Sequence, residues 1–233
     1  ASFYPSVAMA LNLGPDTTRI VGYEEYSDEI DFDGSFIYIP DNKIGKRVKI
    51  EIDTDRKSGL YEMCKQFKEM RAPYKVQKTK EAKSKSNALK IMVNTFYGAN
   101  TNPYINYGDM ATGITITSVA RFLLLSAINL IRKKYGEKAV VYCHTDGINT
   151  NVDIDHKWLV KRLRLILENK IPFADSKWID MDKDVYKEGF WVQIGNYVLR
   201  NEDGTLTKHG STFKASTRST FYKDTLEKII EGR

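Results

Sequence analysis

Apolar side chains along this chain change their spacing several times, and each change marks an element. Phe3 to Leu13 carry them in a strand-then-helix manner, and Gly14-Pro15-Asp16 ends the run. Residues 18 to 57 break into short runs, TTRIVGYEEY, GSFIYIP and KRVKIEI, punctuated by Asp-Gly and Pro-Asp, which predicts strands joined by turns. From Leu60 the period becomes helical, with Met63, Cys64, Phe67 and Met70 following at that spacing, and Pro73 is predicted to break the helix. A second helix is predicted from Thr79 to Gly98, with Leu89, Met92, Val93 and Phe96 on its apolar side, so the two make a helical hairpin. Gly113 to Lys134 predict a longer helix, apolar around most of its circumference and therefore buried. AVVYC, a tight His144-Thr145-Asp146-Gly147 turn and INTNV predict a β-hairpin. A helix at 155–170 follows, then two extended segments, KWIDMDKDVY and GFWVQIGNYVLR, and a last helix from Tyr222 to Glu231. This order predicts an α+β fold, an antiparallel sheet backed by helices with a helical projection.

Composition narrows the picture. The 233 residues are 42% hydrophobic and 28% charged, which fits a globular chain and excludes a disordered one. The most apolar stretch, Val119 to Ile131, is interrupted by Arg121, Ser126 and Asn129, so no membrane span is expected. The start, ASFYPSVAMALNLG, lacks a basic region and a cleavage signature, so no signal peptide and a cytoplasmic location are expected. Two cysteines far apart, Cys64 and Cys143, make neither a disulfide framework nor a zinc pattern. The net charge is +6, and cations crowd between Lys65 and Lys90. That crowding reads equally as a solvated helical face or as a surface for phosphates.

Three segments carry chemistry: Ala1-Ser2-Phe3-Tyr4-Pro5-Ser6, the run KIMVNTFYG from Lys90 to Gly98, and Tyr142-Cys143-His144-Thr145-Asp146-Gly147. Together, and in this order, they resemble motifs A, B and C of family B DNA polymerases. Those patterns read Asp-x-x-Ser-Leu-Tyr-Pro-Ser, Lys-x-x-x-Asn-Ser-x-Tyr-Gly and Tyr-x-Asp-Thr-Asp-Ser, and the match spans nearly the whole chain. The resemblance implies a palm sheet backed by helices with a helical-hairpin fingers insertion. Its divisions are a first palm part with a small β insert at 1–57, fingers at 58–99, a second palm part at 100–200, and the end of the palm leading into a thumb at 201–233.

It also implies template-directed DNA synthesis from dNTPs, with two Mg²⁺ ions (or Mn²⁺) clamping the attacking and leaving oxygens. Asp146, on its turn, would bind metal, with the main chain at Phe3 beside it and Asp184 as a further acidic residue. The nucleotide would meet Phe3, Tyr4, Lys90, Asn94 and Tyr97. The spacing of Lys90, Asn94 and Tyr97 puts them on one helical face. Of Lys65, Lys68, Arg71 and Lys75, which compete for a second triphosphate contact, Lys68 and Arg71 fit best. Primer–template DNA would meet Tyr197, Lys208, Gly210 and Lys214. The family's motif A carboxylate falls two positions before Ala1. The resemblance therefore implies a fragment whose parent chain adds N-terminal, exonuclease and thumb domains, working in a nucleoid or a virus-infected cell.

Two positions depart from the family's patterns. His144 stands where motif C has its first Asp, which removes one negative charge. Ile194-Gly195-Asn196-Tyr197 stands where the family has Lys-Lys-Arg-Tyr, so both lysines are missing and Gly195 replaces the second. These departures leave two readings open: a divergent active polymerase, or a catalytically weakened polymerase-fold subunit that binds nucleic acid or scaffolds a replication complex.

Overall fold

The structure is a computed structural model that describes residues 3–77, 79–102, 104–106 and 108–210, with Thr225 and Lys228. The expected helix from Tyr222 to Glu231 lies outside the described residues apart from those last two, both helical. The chain divides into two compact units. Unit 1 comprises Ala1–Val141 with Ile148–Asp182, and unit 2 comprises Tyr142–Gly147 with Lys183–Arg233. The fold class is α+β, as the hydrophobic patterning predicts.

In unit 1 the helix α1 (Phe3–Ala10) is buried from Pro5 onward, because almost every side chain along it is small or apolar. Four strands follow: β1 (Thr18–Glu24), β2 (Asp31–Asp33), β3 (Phe36–Asp41) and β4 (Lys46–Ile52). They form one antiparallel sheet in the order β1-β4-β3-β2. The register pairs Ile37 with Ile50 and Ile39 with Val48, so alternation sends these four side chains into the core. The opposite face is polar and self-contained. Lys49 lies over the Phe36 and Tyr38 rings, and Arg47 lies over Tyr38.

The base of the helical hairpin is fastened to the end of α1 by Asn12, whose positive φ turns the chain. Its side-chain amide donates to the carbonyls of Asp53 and Arg56, and its Oδ1 accepts from the Ser58 N–H at 2.9 Å. Ser58 then caps α2 (Gly59–Lys75) by accepting from the Tyr61 N–H. The helix runs on through Pro73 rather than stopping there. Pro73 lies in the last turn, where its ring deprives only one carbonyl, that of Glu69, of an intrahelical partner. Thr79 caps α3 (Lys80–Asn100), which returns along α2 with Phe96 stacked on Phe67 and Ser86 opposite Arg71.

Asp109 caps α4 (Met110–Tyr135) through the Thr112 N–H and hydroxyl. Gly113 lets this helix start tight against the end of α3, since a Cβ there would stand 2.9 Å from the Thr101 carbonyl oxygen. The expectation that no segment reaches membrane-spanning length needs correcting. Among the described residues α4 is long and apolar enough to cross a bilayer, because Arg121 alone does not offset its apolar residues. In this fold it is packed into the core through Ile116, Val119, Leu123, Ala127 and Ile131. The α5 helix (His156–Lys170), capped by Asp155, adds Leu159, Leu163 and Leu167 to the same core.

The hairpin of β5 (Val140–His144) and β6 (Gly147–Thr150) has the tight turn read from the sequence. The two extended segments predicted downstream turn out differently. Ser176–Trp178 form a 3₁₀ turn and residues 179–186 have no strand structure, because Ile179 anchors them in the core without a pairing partner. The segment GFWVQIGNYVLR holds two strands instead of one. In unit 2, β7 (Glu188–Gln193) and β8 (Asn196–Arg200) pair antiparallel around a two-residue turn, Ile194-Gly195, and β9 (Leu206–His209) pairs with β8. The φ of +75° at Gly195 makes the fold-back possible.

Candidate active site and nucleotide-binding surface

Within unit 1 the first two motifs meet. Phe3 opens α1, so the main chain at Phe3 and Tyr4 lies in the first helical turn. The Tyr4 ring lies flat on Tyr97 of α3, with centroids 5.7 Å apart and planes 9° from parallel. Burial, then the neighbouring Tyr4, pushes the Tyr97 phenol above its usual range. Lys90 and Asn94, two turns and one turn before Tyr97 on the same face of α3, are both exposed. Neither makes a hydrogen bond or ion pair among the described residues.

The four competing cations of α2 separate clearly. The Lys68 ammonium donates to the Ser6 Oγ at 2.7 Å and sits over Trp178, and burial draws its pKa down. Arg71 donates from Nε to the Ser86 carbonyl and hydroxyl, which joins the two hairpin helices. Lys75 faces Asp182 at 3.5 Å. Lys65 is half-buried and makes no ion pair or hydrogen bond among the described residues. The partners of Lys68 and Arg71 are invisible in the sequence, because tertiary packing brings them together.

Unit 2 carries the third motif. The turn places Asp146 after Thr145, which has a φ of +56°. Asp146 and Asp184 are exposed, and neither pairs with a cation nor accepts a hydrogen bond among the described residues. Burial raises the Tyr197 phenol, and Tyr142 and Asp146 add to the rise. Burial likewise raises Tyr186, with Asp184 and Tyr197 adding to it. Within either unit, no group of three or more His, Cys, Asp and Glu side chains gathers among the described residues. The donors on offer are carboxylate oxygens, the type that hard divalent cations take.

Rings fill the same neighbourhood. Tyr142 contacts His144, Trp191 and Tyr197, and Tyr197 stacks on His209 at 4.5 Å. The Tyr142 hydroxyl accepts from the Gly195 N–H at 2.8 Å, a clamp that no sequence pattern announces. Lys208 lies on β9, and Gly210 follows with a φ of +91° where a Cβ would collide with the Gly195 carbonyl oxygen. Lys214 lies outside the described residues.

The fold is shared with a solved family B DNA polymerase. The family B DNA polymerase of the hyperthermophilic archaeon Pyrobaculum calidifontis superposes with a TM-score of 0.56 over 99% of this chain and 31% of that one, at 18% identity. Sequence similarity points the same way. The chain is 23% identical over 240 residues to the DNA polymerase of Thermococcus sp. (strain 9oN-7) and 24% identical over 244 residues to that of Thermococcus gorgonarius. It is also 24% identical over 242 residues to DNA polymerase 1 of Pyrococcus abyssi (strain GE5 / Orsay). It covers 29% of the length of each of these relatives. No family model matches the chain.

Proposed function

We propose that this chain carries the nucleotidyl-transfer residues of a DNA-directed DNA polymerase, which extends a primer 3′ hydroxyl on a DNA template from dNTPs. Unit 1 supplies the groups that bind the triphosphate: the N–H groups at Phe3 and Tyr4, and Lys90 with Asn94 on α3. The free ammonium of Lys90 neutralises phosphate charge as it develops. The second cation of this surface is taken from Lys65, Lys68 and Arg71; Lys68 already donates to Ser6, whereas Arg71 spends only its Nε on Ser86 and keeps its terminal N–H groups for a phosphate. Tyr97, held flat by Tyr4, lies beneath the nascent base pair.

Unit 2 supplies the carboxylates. Asp146 would hold a divalent cation, with Asp184 as a further acidic residue of the same unit. Mg²⁺ or Mn²⁺, when bound, supplies positive charge at the attacking and leaving oxygens. Tyr197, Lys208, Gly210 and Lys214 belong to the primer–template surface in this reading. The observation that carries the proposal is the joining of motif-like residues by direct contact, Tyr4 on Tyr97 above all, in a fold shared with family B polymerases.

Primer extension by the polypeptide that contains this chain, with Mg²⁺ and with Mn²⁺, tests the reading. Synthesis is expected, and Asp146→Ala is expected to abolish it. Undiminished extension by that variant overturns the mechanism. A parent that binds primer–template and never extends it overturns the enzymatic reading in favour of a scaffold.

A further inference from the structure

The two departures from the family's patterns, His144 and Gly195, lie against each other in unit 2. The imidazole is exposed but has neighbours on three sides. Tyr142, two residues earlier on the same face of β5, lies nearly parallel to it, at 14° and 6.3 Å. The Thr145 hydroxyl stands 3.1 Å from Nδ1. On the third side is Gly195, where a Cβ would come within 3.3 Å of Nε2. The Gly195 N–H is meanwhile fixed by the Tyr142 hydroxyl. A side chain at 195 therefore requires the imidazole to shift by a few tenths of an ångström, away from its present stack on Tyr142 and its contact with Thr145.

We infer that His144 and Gly195 act as one pair that positions the turn bearing Asp146. The patterns have a short carboxylate at 144 and a long cation at 195. This chain has a wide ring and no side chain, so space surrendered at one position is taken at the other. Asp146 is two residues from His144 in a four-residue turn whose middle residue, Thr145, already holds a positive φ. That turn has little slack, so a displaced ring moves the carboxylate. His144 is a positioning residue here, and Gly195 is what admits it. The effect on catalysis rests on the reading of Asp146 given above, whereas the contact itself does not.

The test is a double-mutant cycle with Gly195→Asn and His144→Ser. Asn tolerates a positive φ, so the variant isolates lost space from backbone strain. The chain has three histidines. Loss of a ring-proton signal in His144→Ser identifies the signal of His144, which the Tyr142 ring displaces. In Gly195→Asn that signal is expected to move toward the position of an unstacked histidine. Primer extension is expected to fall about fivefold and to return to within about twofold of the His144→Ser rate in the double variant, a coupling typical of touching residues. An unmoved His144 signal in Gly195→Asn overturns the pair. So does a double variant no better folded than Gly195→Asn, since glycine would then be needed for its φ alone. If Asp146→Ala leaves synthesis intact while the signal still moves, the pair stands and the reading of Asp146 fails.

Discussion

Around Tyr4 and Tyr97 the motif residues are held by a core, whereas around Asp146 they are held by rings and turns. In unit 1, α1 is almost wholly buried, Lys68 is drawn into a bond with Ser6, and Phe67 and Phe96 close the helical hairpin. In unit 2 the strand β7 leaves Phe190, Trp191 and Val192 exposed, and the turn beside it leaves Ile194 84% exposed. Order there comes from Tyr142 clamping Gly195, from stacked rings, and from glycines at positive φ. Burial fixes a side chain through many neighbours that cannot all move at once. A ring-and-turn frame depends on a few contacts, so one substitution can redirect it. The difference also separates two kinds of lysine. Lys68 is part of the frame, while Lys90 is exposed and makes no hydrogen bond or ion pair among the described residues.

That separation can be tested most strongly at the two lysines. Lys90→Ala is expected to lower kcat/KM for dNTP on the order of 10²-fold, the scale for removing one preorganised charge. Lys68→Ala is expected mainly to lower stability, by about 1–3 kcal/mol, through the abandoned Ser6 hydroxyl and lost packing. Steady-state kinetics beside urea denaturation distinguishes the two, and equal losses of activity with no change in stability would erase the distinction.

Packing provides the next contrast. Leu123, fully buried in α4, is expected to cost about 2–5 kcal/mol when changed to Ala. Ile194, on its exposed turn, is expected to cost less than about 0.5 kcal/mol for the same change. Comparable shifts in the denaturation midpoint would mean that the turn at Ile194 is packed as tightly as α4.

A pH effect of intermediate size follows from Cys64. Burial pushes this thiol from 9.0 up to about 11, and nearby Lys68 only partly offsets the rise. Between those values the unfolded thiol has lost its proton and the folded one has kept it. The unfolded state then binds fewer protons, and stability falls as pH rises. The contribution is fully present below pH 9.0 and lost by about 11, and it amounts to about 2–3 kcal/mol. A Cys64→Ala variant should lack this extra slope in denaturation measured across the window. A smaller effect than this comes from the cap at the base of the hairpin, where Ser58→Ala is expected to cost about 1–2 kcal/mol in thermal unfolding.

The sequence made the helices plain because their apolar residues recur at helical spacing, as from Leu60 to Met70 and from Leu89 to Phe96. It hid β2, three residues of which two are Asp, which is a strand only because β3 pairs with it. It hid the turn at Ile194-Gly195 because GFWVQIGNYVLR reads as one extended run until Gly195 reverses it. The site was half legible. Lys90, Asn94 and Tyr97 share a face by spacing alone, and Asp146 sits on a turn that the sequence announces. The roles of Lys68 and Arg71 were not legible, since Ser6 is 62 residues away from the one and Ser86 belongs to a different helix from the other. The contact of His144 with Gly195 was likewise beyond spacing, because it joins two separate hairpins.

The apolar helix α4 imposes an order of events on synthesis. By length and composition it could cross a bilayer, although here it serves as a core helix. The elements that cover it lie on both sides of it in the chain. α1, β1 and β3 come before it, and α5 comes after. As α4 leaves the ribosome, partners for part of its surface have already been made, which gives it somewhere to go other than lipid. A chain arrested before Leu159 would leave the α5 side of α4 bare and sticky. The greasiest segment of the molecule is thus preceded by much of its own wrapping.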